Sequence, residues 1–96
     1  MPRVDIPGTD ASVDFEVEED RVTATSYYAG IKLGSKTIAI TEANEEGLGY
    51  YAERTEFGIG RAKVEVWVRW AERKIVLVCV LHIGGDRIQK EKWIDF

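Results

Sequence analysis

Residues 75–83 read Ile-Val-Leu-Val-Cys-Val-Leu-His-Ile: nine positions, eight of them apolar, followed at once by Gly84-Gly85. The run is too short to cross a bilayer as a helix. Its branched residues lose side-chain freedom in a helix but pack well on a pleated surface. It therefore reads as a β-strand with both faces out of water, and a strand of that kind belongs in the interior of a sheet. Its neighbours must be strands, and something must cover its second face.

The rest of the chain supplies alternating segments cut by turn residues, with no 3.6-residue stripe long enough for a helix. A first hairpin is expected at Glu19-Asp20, setting Val17 opposite Val22 and Phe15 opposite Ala24. In that register Asp14, Glu16 and Glu18 share the wet face with Thr23 and Thr25, and a one-residue slip would bury the acids. A second is expected at Gly34-Ser35, with Ile31 opposite Ile38 and Gly30 marking a bend or bulge. Residues 42–48 have room for one short helical turn before Gly47 and Gly49 end it. Strands follow over 50–57 and 61–70. A third hairpin around Glu72-Arg73 pairs Trp70 with Ile75, Val68 with Leu77, Val66 with Cys79 and Val64 with Leu81. The last strand, near 87–94, is charged and irregular, as suits a sheet edge. The expected fold is all-β: about seven antiparallel strands in meander order, forming a small barrel or a two-sheet sandwich.

Ninety-six residues suit a single domain, here 1–96, with residues 1–10 as a loose N-terminal arm. Residues 1–20 carry seven acids against one base, whereas residues 61–96 carry eight bases against five acids. If the first strand closed against the last, Asp14, Glu16 and Glu18 would face Lys90 and Lys92. Pairs of that kind select a partner strand more than they stabilise it. The overall charge of −4 argues against nucleic-acid binding through the phosphate backbone. The N-terminal Met-Pro-Arg-Val-Asp-Ile-Pro-Gly has no apolar stretch of signal-peptide type, so no membrane role and a cytoplasmic location are expected. The single Cys79, in an apolar strand, reads as a small core residue rather than a reactive thiol.

Candidate sites are few. His82 is the lone histidine, set opposite Lys63 and near Arg87 or Ile88; no acid is placed to orient it, so it reads as structural. No His/Cys spacing suits a metal, and the acidic run 10–20 lacks the calcium-loop pattern. The Gly-X-Gly pieces at 47–49 and 58–60 fit turns better than a phosphate cradle. No cofactor and no catalytic residue is expected; an enzyme would need His82, or Glu53 and Glu56, in a cleft. The aromatic residues lead instead. Trp67 falls with Val76, Val78 and Val80 on the face opposite the main core, an apolar patch of the sort that marks an interface. The leading expectation is a non-catalytic protein-interaction module, self-associating through Trp67, Val76, Val78 and Val80 or binding a protein partner as an inhibitor, immunity or accessory subunit. The alternative is a small barrel binding an apolar or aromatic compound or a sugar on Tyr27, Tyr28, Tyr50 or Tyr51.

Overall fold

A computed structural model describes residues 3–96. The described residues form eight strands: β1 (Arg3–Asp5), β2 (Ala11–Val17), β3 (Arg21–Tyr28), β4 (Ile31–Ala39), β5 (Leu48–Phe57), β6 (Gly60–Arg69), β7 (Lys74–Ile83) and β8 (Asp86–Asp95). They make two antiparallel sheets, β1-β2-β3-β4 (sheet A) and β5-β6-β7-β8 (sheet B), joined by a single 3-10 turn at Ile40–Glu42. The helical turn thus arrives just ahead of the 42–48 segment. The two sheets do not close into a barrel; they stack as a sandwich around one apolar layer. Sheet A contributes Val13, Phe15, Val22, Ala24 and Ile38 to that layer, and sheet B contributes Val64, Val66, Val68, Ile75, Leu77 and Cys79.

The β2–β3 hairpin has the register its alternation dictates, with Val17 opposite Val22 and Phe15 opposite Ala24. The expected closure does not occur, and the cause lies at the N-terminal end. Residues 3–5, read as part of a loose arm, pair with β2 along its outer edge, and Ile6 behind them is fully buried. Met1 and Pro2 lie outside the described residues. With β1 in place, Asp14 meets Arg3 at 3.5 Å instead of Lys90 or Lys92. The acidic strand β2 and the basic strand β8 therefore belong to different sheets.

The β3–β4 hairpin differs from expectation. Its turn is Ala29-Gly30, where both residues have positive φ (51° and 79°), the geometry of a primed turn whose twist suits flanking strands. Gly34 and Ser35 instead lie within β4, opposite Ser26 and Thr25. Gly34 is needed for space: a Cβ there would overlap the Glu53 carboxylate and the Tyr51 hydroxyl. The irregularity sits at Leu33, left unpaired between Lys32 and Gly34. Alanine is a poor residue for positive φ, and asparagine tolerates it. Ala29→Asn should therefore stabilise the protein by about 0.5–1 kcal/mol, read as a higher midpoint in urea.

The β6–β7 hairpin closes through Trp70–Arg73, a four-residue connection, because Trp70 leaves the ladder and turns into the core. Pairing shifts by two residues from the expected register, to Val68–Ile75, Val66–Leu77, Val64–Cys79 and Ala62–Leu81. An even shift keeps every side chain on its face, so the core composition survives it. In β7, all seven residues from Ile75 to Leu81 are buried. β8 is the exposed edge, carrying Arg87, Lys90, Glu91 and Lys92, which discourage further strand addition.

Candidate functional site

The outer face of sheet B is built in rows, because side chains two apart on a strand share a face and paired strands place them side by side. One row runs Tyr50–Trp67–Val76–Trp93, the next Ala52–Glu65–Val78–Glu91, then Arg54–Lys63–Val80–Gln89, and last Glu56–Arg61–His82–Arg87. Along this face the surface passes from aromatic to acidic to cationic.

Val76, Val78 and Val80 are only 6, 7 and 5 % exposed, although no second layer covers them. Their own sheet neighbours do so: long side chains on β6 and β8 flank each valine, and a Lys63–Glu65 ion pair at 2.8 Å lies across the β6 side. The exposed apolar surface is therefore aromatic. Trp93 is 48 % and Tyr50 41 % exposed, and Trp67 lies half-buried between them, its ring centroid 4.3 Å from that of Tyr50. The Trp67 indole N–H donates to Glu65 at 2.9 Å, which fixes the ring in the row. Burial works to raise the Glu65 carboxyl, but Lys63, the indole N–H and Arg54 together outweigh it and hold the carboxyl below its ordinary value. Arg69 stacks over Trp93 at 5.2 Å from the far side.

The four tyrosines do not converge. Tyr27 lies on the outer face of sheet A beneath Arg3, whose guanidinium is 3.7 Å from the ring centroid, while Tyr50 lies on the outer face of sheet B. Tyr28 stacks on Phe57 at the sandwich margin, 5.2 Å between centroids. Tyr51 is buried, donates to Glu53 at 2.9 Å and lies 3.4 Å from the hydroxyl of Ser26. Burial pushes the Tyr51 phenol up to about 12; Ser26 opposes that rise and Glu53 adds to it. This Ser26–Tyr51–Glu53 chain had no sequence signature, since its members are distant in sequence. Ser26 is fully buried, so the chain satisfies polar groups inside the sandwich.

His82 stands between Arg61 and Arg87, not opposite Lys63, and among the described residues its side chain makes no hydrogen bond or ion pair. Glu53 and Glu56 point to opposite faces of β5. Among the described residues no three His, Cys, Asp or Glu side chains stand together as metal ligands, and no helix is long and apolar enough to cross a membrane. Cys79 is buried on the core side of β7, and burial pushes its thiol up.

The sequence pattern singles out neither Trp93 nor the cations Arg54 and Arg61, and it places Arg87 only as a neighbour of His82. The signal was available for Trp93: residues 87, 89, 91 and 93 alternate with 88, 90, 92 and 94, and that parity sets Trp93 beside Val76. No protein-family model, curated protein or solved structure matches the chain.

Proposed function

We propose that the chain is a non-catalytic protein-interaction module of the cytoplasm that self-associates through the aromatic row of sheet B. The observation that carries this reading is the row itself: Tyr50, Trp67 and Trp93 on three of four adjacent strands, with the two outer rings exposed on a face that nothing covers. Aromatic residues of this kind dominate interface energetics because they bury large area with few rotatable bonds. The row is also complementary to itself. A twofold axis along the row, perpendicular to the strands, lays the row of one copy on the same row of the other and points the two cationic ends apart. Such an isologous contact is the commonest way for a soluble chain to close. The cytoplasmic assignment is supported by one unpaired, buried cysteine.

The test is light scattering after size exclusion at micromolar to high-micromolar concentration. Wild type should run as a dimer and Trp93→Asp as a monomer, since losing an interface aromatic that anchors the contact costs about 2 kcal/mol or more, roughly thirtyfold in affinity. Trp93 is the right residue to change because it lies on the exposed edge strand. Val78→Asp would confuse the outcome, placing a carboxylate between Glu65 and Glu91 in one row. A wild-type chain that stays monomeric throughout contradicts the self-association and leaves the row to a different protein.

A further inference from the structure

The cationic end of the same face carries a second site. The whole chain is acidic, at −4, yet Arg54, Arg61, Lys63 and Arg87 gather with His82 around a concavity of about 310 Å³ floored by the buried Val80. The cross-strand register sets Arg54 directly opposite Lys63 and His82 between Arg61 and Arg87, while Glu56 stands directly opposite Arg61. Like charges directly opposite on a sheet are destabilising. Of the cations around the concavity only Lys63 has a carboxylate partner, Glu65. Among the described residues Arg54, Arg61 and Arg87 form no ion pair; Arg87 donates only to the neutral Gln89, at 2.9 Å. Glu56 is the one carboxylate on the rim. The Arg54–Lys63 pair thus remains a like-charge contact in the ladder.

We infer that this concavity binds a compact phosphoryl-bearing anion. A carboxylate offers one charge and two oxygens, which a single guanidinium satisfies as a bidentate pair. Three unpaired guanidiniums with a lysine beside them exceed that demand. A phosphate or diphosphate group carries two or more charges and several oxygens in a tetrahedral array, and accepts from several guanidinium forks at once. The valine floor excludes water from one side, which strengthens each of these bonds. Along the strands the aromatic row lies about 13 Å from Arg54 and Lys63 and about 20 Å from Arg61 and Arg87, four and six residues at the usual rise, so the site does not depend on self-association.

Calorimetric titration with inorganic pyrophosphate, matched in ionic strength by sodium chloride, tests the inference. Wild type should bind pyrophosphate, and thermal unfolding should move upward with it. The triple variant Arg54→Gln/Arg61→Gln/Arg87→Gln should bind about tenfold more weakly or worse, because each guanidinium supplies charge-assisted bonds. Its ligand-free melting temperature should equal or exceed that of wild type, since the repulsion has been removed. That second reading separates a binding role from a structural one. All three side chains are exposed, so single Arg→Gln variants fold and should each weaken binding. Three results overturn the proposal: no pyrophosphate binding by wild type, citrate binding as tightly as pyrophosphate, or a triple variant that melts lower without ligand. A single-stranded oligonucleotide that binds where pyrophosphate does not would also overturn it, by showing an extended polyanion site.

Discussion

Leu77→Ala should lower the unfolding free energy by about 2–5 kcal/mol, the cost of removing buried methyl groups and leaving a gap that the surroundings only partly fill. Leu77 is fully buried near the middle of β7, paired with Val66 on one side and Lys92 on the other, and projects toward sheet A. Domains of this size are stable by only about 5–15 kcal/mol, so the loss is a large share of the total. The neighbouring outward residue supplies the contrast. Val78 is nearly as buried, but its cover is the side chains of Glu65 and Glu91 rather than a second sheet. Those chains and water can close over a smaller residue, so Val78→Ala should cost about 1 kcal/mol or less. Urea unfolding of the two variants measures both. Equal losses would mean that the outer face is packed as tightly as the core.

Gly49→Ala should destabilise by about 1–3 kcal/mol, through overpacking at the junction of the two sheets. Gly49 is buried near the start of β5, opposite Val68, and a Cβ there would overlap Cγ2 of Ile38, the buried residue near the end of β4. That methyl group sits next to the Ile38 backbone and cannot swing away as the end of a long side chain would. The Trp70 indole nitrogen closes off another direction, 3.5 Å from the same point. Gly85→Ala is the control: nothing lies within 4 Å of the added atom, and its φ is not positive, so stability should hardly change. A tolerated Gly49→Ala would show that β4 and β5 meet more loosely than the Ile38 contact implies.

The parts of this fold that could be read from the sequence are those in which burial and alternation agree. The doubly apolar β7 is one, and the β2–β3 hairpin is another, where a slip would have driven Asp14, Glu16 and Glu18 into the core. Turn residues were a poorer guide. Gly34 resembled a turn glycine, but its missing side chain makes room for Glu53 and Tyr51, whereas Ala29 accepts positive φ against its own preference. The two-residue shift in the β6–β7 hairpin came from Trp70, whose burial outweighs the tighter turn. The barrel alternative failed on three residues, Arg3–Asp5, too few to announce a strand but enough to occupy the edge of β2.

The candidate site was half legible for a related reason. Trp67 and the three valines are neighbours on adjacent strands of one hairpin, so local alternation finds them. The exposed rings of Tyr50 and Trp93 come from the two outer strands of sheet B, and the cationic concavity draws on all four. Only the complete strand order and register of sheet B bring Arg54, Arg61, Lys63, His82 and Arg87 together. No spacing within the chain announces that cluster.

The three tryptophans provide the most direct test of the proposed surface, since Trp67 and Trp93 lie in the outer row while Trp70 is held in the core against Phe96, 5.9 Å between ring centroids. Nitrogen-15 correlation spectra should resolve three indole N–H signals, followed as the protein is diluted from high-micromolar to low-micromolar concentration. The Trp67 and Trp93 signals should shift together while the Trp70 signal stays in place. Three unchanged signals, or movement of Trp70 alone, would contradict a self-association surface on the outer face of sheet B.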